Sequence, residues 1–116
     1  MAYNNFKYDV DADGIALVTW DMPGKSMNVF TEEVMVELNA ITDKVMADEA
    51  VKGVVFTSGK DSFSGGADLT MLKGMFEIYR KEKAKDPDKA VKILFEMTGK
   101  MTGLFRKIET SGKPWV

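Results

Sequence analysis

The chain has 116 residues, of which 45% are hydrophobic and 29% charged, and its formal net charge is −2. This composition is typical of a globular protein, long enough for one small domain or part of a larger one, and it excludes a disordered tail or a fibrous repeat. The near balance of charges predicts no nucleic-acid partner. Because the chain has no cysteine and no histidine, thiolate and histidine catalysis are excluded and no metal site is expected.

No apolar run approaches the length of a membrane-spanning helix, and residues 1–5 do not resemble a signal peptide. We therefore expect a cytoplasmic protein without a membrane partner. The basic cluster at residues 79–85 has two interpretations, a phosphate contact and the solvated end of a helix, and the second is favoured.

The start of the chain predicts a β-hairpin. Residues 6–11 alternate between apolar and polar, as a half-buried strand does, and residues 15–20 are more continuously apolar, which is typical of a central strand. Asp13 and Gly14 between them favour a tight turn. A loop with proline and glycine follows at residues 21–26.

A helix and a second buried strand come next. The helix begins at Thr31 and ends between residues 46 and 50, and residues 52–57 form a strand too apolar for a solvated edge. Strand, helix and strand in this order predict a parallel βαβ unit, and ligands commonly bind at the carboxyl ends of such strands. The helix has an apolar stripe that faces the core, made of Val34, Leu38, Ile41 and Val45.

Two further helices are predicted. The second begins near Asp68, and the third restarts the chain with Asp86 as N-cap and Pro87 at its first position. Trp115 and Val116 begin another strand. The apolar stripes of these helices are Leu69, Leu72, Phe76 and Tyr79 in the second, and Leu94, Met97, Met101, Leu104 and Ile108 in the third.

The most informative segment is residues 54–69, which predicts a buried strand, a glycine-rich loop and the start of a helix at Ala67 or Asp68. Such a junction aims free backbone N–H groups and the positive end of a helix dipole at one point. This arrangement suits an oxygen that gains negative charge during a reaction. If the motif stood alone, a helix-capping Gly-Gly turn without a ligand would be the favoured interpretation.

Three segments in order resemble the crotonase (enoyl-CoA hydratase/isomerase) superfamily. Residues 15–30 resemble its first strand and Pro…Asn-Ala loop, residues 63–69 its first oxyanion segment, and residues 111–116 the Lys-Pro-hydrophobic start of its next strand. The long charged region between residues 69 and 112 resembles the hydratase part of multifunctional fatty-acid oxidation proteins. The resemblance implies an α/β fold, an incomplete amino-terminal portion of the crotonase-type (ββα spiral) fold, with residues 1–116 as one partial domain.

The resemblance also implies chemistry on acyl-CoA thioesters, whose enolate-like oxygen is stabilised by two backbone N–H donors. Gly65 matches the first donor, at a position where many relatives carry alanine. Gly66 is expected to let the thioester approach the backbone, and Asp68 to cap the helix rather than act as a base. CoA is part of the substrate, and no further cofactor is expected. The substrate-binding residues implied are Gly65, Gly66, Ala67, Asp68 and Lys25.

Three residue roles have alternatives. Lys25 lies where the family's loop follows the CoA moiety, and a phosphate or ribose contact and a solvated lysine are equally supported. Asn28 is expected to hold its loop by side-chain to backbone bonds rather than to touch substrate. The methionines of the third helix suit an acyl pocket because methionine is adaptable, but core packing is favoured.

Hydratases of this family use two glutamates and a second N–H donor that follow a triple-glycine segment, and no glutamate of this chain matches those positions. We therefore expect the amino-terminal portion of an enoyl-CoA hydratase (a lyase) of fatty-acid β-oxidation, inactive alone. The alternatives are a non-catalytic acyl-CoA-binding or assembly fragment and an enoyl-CoA isomerase. The family also implies a homo-oligomer. Because the strand begun by Trp115 is cut short beside residues 54–57, self-association or loose folding is expected.

Overall fold

The structure is a computed structural model that describes residues 2–116. All six predicted elements are present, and the α/β fold class is confirmed. In chain order they are strand β1 (Phe6–Val10), strand β2 (Ile15–Trp20), helix α1 (Glu32–Ala47), strand β3 (Gly53–Ser58), helix α2 (Leu69–Lys85) and helix α3 (Pro87–Glu109).

The hairpin of β1 and β2 forms as predicted, with β2 at the centre of the sheet. The two strands are antiparallel, and Phe6 lies opposite Trp20. Gly14 in the turn has a φ of 83°, in the left-handed region that glycine adopts without steric cost.

The βαβ unit is also confirmed, because β2 and β3 are parallel and Trp20 lies beside Ser58 at their carboxyl ends. The hydroxyl of Thr31 accepts a hydrogen bond from the N–H of Val34 and so caps α1. The carboxyl ends of β2 and β3 therefore meet at one edge of the sheet, where the β2–α1 loop (residues 21–31) and the β3–α2 loop (residues 59–68) begin. The predicted apolar stripe of α1 is buried against the sheet at Val34, Leu38, Ile41 and Val45.

The last residues of the chain pair with the second edge of β3, as predicted. The N–H of Val54 donates to the carbonyl of Pro114 at 2.9 Å, and the N–H of Val116 donates to the carbonyl of Val54 at 3.0 Å. The ammonium of Lys113 donates to the carbonyls of Val45 and Asp48. Lys113 therefore satisfies carbonyl groups at the carboxyl end of α1 that have no partner within the helix.

The α2–α3 hairpin leaves much of its apolar surface uncovered. Asp86 caps α3 and Pro87 occupies its first turn, as predicted. Leu104 is buried and Ile108 packs against the core, but none of the residues of α2, all of which the structure describes, is buried. Of the predicted stripes of α2 and α3, only Leu69 and Phe76 are exposed, and the other stripe residues are half-buried or buried. The exposed large apolar residues of the hairpin are Leu69, Phe76, Ile78, Val91, Phe95 and Phe105.

We expect the purified chain to self-associate at micromolar concentration, because exposed apolar surface of this extent favours association. Replacing Phe76 and Phe95, which are 58% and 76% exposed, by serine together is expected to shift the sedimentation distribution towards the monomer. Val36→Ser, the same kind of change at an exposed site on α1, serves as control and leaves the distribution unchanged. A monodisperse monomer of the unmodified chain contradicts the prediction.

Candidate functional site

The two loops at the carboxyl edge of the sheet run side by side. The N–H of Phe30 donates to the carbonyl of Gly66 at 2.8 Å, and the N–H of Asp68 donates to the carbonyl of Phe30 at 2.9 Å. These bonds form a short parallel bridge between Phe30 and Ala67. The β2–α1 loop and the β3–α2 loop are therefore joined through their backbones.

Asn28 joins both loops to the end of the sheet, and its side chain is fully buried. Its Oδ1 accepts a hydrogen bond from the N–H of Met22 at 3.1 Å. Its Nδ2 lies 2.9 Å from the carbonyl of Trp20, 3.0 Å from the hydroxyl of Ser58 and 3.1 Å from the carbonyl of Phe63. The predicted holding role is confirmed, and it extends to the β3–α2 loop, which sequence reasoning did not foresee.

Gly65 does not have the free N–H group expected from the sequence. Its N–H donates to the backbone carbonyl of Asn28 at 2.7 Å, and the hydroxyl of Ser64 donates to the same carbonyl at 3.1 Å. The physical reason is the close approach of the two loops, which brings this carbonyl within reach. A role of Gly65 as oxyanion donor therefore requires the bond to Asn28 to be exchanged for a bond to the ligand.

Gly66 and Asp68 shape the start of α2. Gly66 has a φ of 90°, which favours glycine, and no described atom lies within 4 Å of a Cβ placed on it. The carboxylate of Asp68 accepts the N–H of Met71 at 3.0 Å, which confirms the predicted cap. The first N–H groups of α2 have no partner within the helix, and they lie at the end of the β3–α2 loop together with the positive end of the helix dipole. Gly66, Leu69 and Thr70 at this end of α2 are exposed.

Lys60 was not singled out from the sequence, and no local pattern marks it. Its ammonium pairs with the carboxylate of Asp21 at 3.0 Å and donates to the carbonyls of Met22, at 2.8 Å, and Lys25. Lys60 thus fixes the exposed part of the β2–α1 loop. It holds Lys25 through the backbone carbonyl of that residue.

An aromatic cluster lies beneath the loops. Trp20 is fully buried, and its ring centroid lies 4.7 Å from that of Phe30 and 5.7 Å from that of Phe63. Phe30 comes from the β2–α1 loop and Phe63 from the β3–α2 loop. Trp20 therefore supports both loops from the sheet.

A cleft of about 510 Å³ opens beside Asp68, between α1, α2 and α3. Glu32 and Lys100 contribute charge to its lining. In the third-helix stripe, Leu104 packs in the core, as favoured from the sequence, and Met97 lines this cleft. The methionines that line the cleft are Met35, Met71, Met75 and Met97.

The family model for enoyl-CoA hydratase/isomerase matches residues 11–98, about three quarters of the chain. This chain belongs to the enoyl-CoA hydratase/isomerase family. The matched residues include the whole of both loops that build the site.

Similar curated proteins are alpha subunits of fatty acid oxidation complexes. That of Idiomarina loihiensis is 43% identical over 70 residues, which is 60% of this chain and 10% of that protein. That of Shewanella amazonensis is 49% identical over 61 residues, 52% of this chain and 9% of that protein. The chain thus spans about a tenth of the length of these relatives.

Solved structures confirm the fold of this enoyl-CoA hydratase/isomerase family member. A protein from Legionella pneumophila described as an enoyl-CoA hydratase/isomerase (crotonase) superposes with a TM-score of 0.73 at 23% identity, covering 98% of this chain and 39% of that one. An enoyl-CoA hydratase from Shewanella pealeana gives a TM-score of 0.74 at 16% identity, with coverages of 96% and 37%. The chain therefore matches about two fifths of a crotonase fold, as the sequence predicted.

Several carboxylates of this family member have structural partners. Glu33 and Glu37 accept hydrogen bonds from Asn4 and Asn5 near the amino terminus, and Asp68 caps α2.

Within residues 2–116 no helix is long and apolar enough to cross a membrane.

Proposed function

We propose that this chain contributes the first oxyanion donor and the acyl-CoA contacts of an enoyl-CoA hydratase of fatty-acid β-oxidation. The observation that carries the proposal is the β3–α2 loop, which leaves the carboxyl end of β3 and leads into the capped amino terminus of α2 in a chain of this family. The relatives' description as subunits of fatty acid oxidation complexes supports the pathway.

In the proposed reaction, water adds across the double bond of a 2-enoyl-CoA, with hydroxyl at C3 and a proton at C2. Negative charge passes to the thioester oxygen before C2 is protonated. The N–H of Gly65, released from Asn28, stabilises that oxygen, and the open backbone at Gly66 admits the thioester. A backbone donor of this kind contributes about 3–4 kcal/mol to lowering the barrier. The methionine-lined cleft beside Asp68 takes the acyl chain.

A second candidate is acyl-CoA binding without catalysis. It is favoured by the engagement of Asp68 in its cap and of Glu37 with Asn5, because hydration requires carboxylates that hold and activate water. Enoyl-CoA isomerisation is a third candidate, since it uses the same first donor.

Binding and turnover of crotonyl-CoA test the proposal. We expect calorimetry to detect crotonyl-CoA binding that is tighter than the binding of free CoA, and we expect no loss of enoyl absorbance above buffer. Gly65→Pro removes the N–H and is expected to weaken the binding of crotonyl-CoA but not that of free CoA. If the Lys25 ammonium contacts a phosphate of CoA, Lys25→Met is expected to weaken the binding of both ligands equally. The proposal is contradicted if neither ligand binds. The expected inactivity is contradicted if the chain hydrates crotonyl-CoA and Gly65→Pro abolishes that activity.

A further inference from the structure

The ammonium of Lys60 is occupied by contacts within the chain. It pairs with the carboxylate of Asp21 at 3.0 Å, and it donates to the carbonyls of Met22, at 2.8 Å, and Lys25. These three acceptors match the three hydrogens of an ammonium group. The side chain is only 11% exposed. Lys60 is therefore built to hold the protein rather than to bind a ligand.

Two of the acceptors of Lys60 belong to one turn, at residues 22–25. Pro23 and Gly24 lie at its centre, and Gly24 has a φ of 71°, which favours glycine. The carbonyls that bind Lys60 are those of the first and the last residue of the turn. The turn at residues 22–25 is therefore fixed to the β3–α2 loop at both of its ends.

The carboxylate of Asp21 has a defined place beside Gly59. A Cβ placed on Gly59 would lie 2.7 Å from the Oδ2 of Asp21 and 3.0 Å from its Cβ. Gly59 is not among the residues with positive φ, so its backbone conformation does not require glycine. Glycine at position 59 thus leaves space for the carboxylate that neutralises Lys60.

Lys25 differs from Lys60 in its surroundings. It is exposed, and none of the ion pairs within residues 2–116 includes it. Its ammonium is therefore available to an anionic ligand, while its backbone is held by Lys60. A group whose backbone is fixed before binding loses less conformational freedom when it meets a ligand.

We propose that Lys60 is a positioning residue that fixes the turn at residues 22–25, so that the ammonium of Lys25 meets a phosphate of CoA. This inference rests on the function proposed above. It assigns the phosphate contact to Lys25 and the placement of that contact to Lys60, which does not itself touch the ligand.

Calorimetry with free CoA tests the coupling between the two lysines. Lys25→Met and Lys60→Met are each expected to weaken binding about fivefold, and the double variant is expected to bind no more weakly than Lys25→Met alone. Lys107→Met removes an ammonium that is likewise held by side chains, on α3, and as control leaves the affinity unchanged. A merely structural role of Lys60, or a general loss of positive charge, would lower the affinity in the Lys25→Met background as well.

Gly59→Ala tests the same placement without removing a charge. The added methyl group displaces the carboxylate of Asp21, and it is expected to weaken the binding of free CoA about threefold but to have no effect in the Lys25→Met background. Gly103→Ala is the control, because a Cβ placed there meets no described atom within 4 Å. Circular dichroism shows which variants fold; Lys60→Met decides where it folds, and Gly59→Ala decides where it does not.

The outcomes separate this inference from the proposed function. If the unmodified chain binds free CoA and crotonyl-CoA, the inference is overturned by a deciding variant with unchanged affinity, by an unchanged affinity of Lys25→Met, or by losses that add in the double variant. The proposed function then stands. If the unmodified chain binds neither ligand, the proposed function itself is overturned.

Discussion

Replacing Asn28 by leucine is expected to lower the free energy of unfolding by about 3 kcal/mol or more. The change removes the side-chain partners of the Met22 N–H and of the Phe63 carbonyl, whereas the Trp20 carbonyl keeps the hydrogen bond from the N–H of Gly59. A buried polar group left without a partner costs about 1–3 kcal/mol. The Ser58 hydroxyl keeps its bond to the carbonyl of Ser62 and adds little to the loss.

Urea unfolding followed by circular dichroism measures the effect. Asn39→Leu on α1 is the matched control, because Asn39 is exposed and its side chain meets only the ammonium of Lys107 among the hydrogen bonds described. Its change in stability is expected to stay within about 0.5 kcal/mol. Similar losses for the two variants mean that Asn28 does not hold the loops together.

Replacing Trp20 by alanine is expected to destabilise the chain by about 3–5 kcal/mol, the range for removing a large buried aromatic side chain. Trp20 is fully buried, and its ring packs against Phe6, Phe30, Phe56 and Phe63. The loss also removes the support that both loops share. The same variant is therefore expected to bind crotonyl-CoA more weakly even under conditions where it remains folded.

Trp20→Phe and Phe95→Ala are the controls, again with unfolding followed by circular dichroism. The Nε1 of Trp20 has no hydrogen-bond partner in the part of the chain described, so phenylalanine loses volume but no hydrogen bond, and its cost is expected to be well below that of alanine. Phe95 is 76% exposed and its removal is expected to be nearly neutral. A loss for Trp20→Ala no larger than for Phe95→Ala would show that the aromatic cluster does not stabilise the fold.

The elements of the fold were predictable from the sequence because they depend on local patterns. The alternation in β1 and the apolar stripe of α1 depend on a periodicity that spans only a few residues. The caps at Thr31 and Asp86 depend on a hydrogen bond to a residue three positions along the chain. The order of strand, helix and strand was sufficient to predict the parallel pairing of β2 with β3.

The state of the candidate site was less predictable because it depends on contacts between loops that are far apart in the chain. The glycine-rich segment indicated where donors lie, but not that the N–H of Gly65 is bound to Asn28. Similarly, a glycine without positive φ, such as Gly59, does not reveal in the sequence which side chain, here that of Asp21, takes its space. Lys60 looks like any loop lysine until its bonds to the β2–α1 loop are seen.

The two bonds of Lys113 to the end of α1 have a consequence for the order of folding. The carbonyls of Val45 and Asp48 converge on one ammonium only when the last turn of α1 and the bend after it have formed. The adjoining residues 114–116 need β3 as their template. Contacts so distant in sequence form late, because closing a long loop costs entropy before any contact compensates for it. We therefore expect the carboxyl-terminal segment to dock on a βαβ unit that has already formed, and to stabilise that unit without helping to nucleate it.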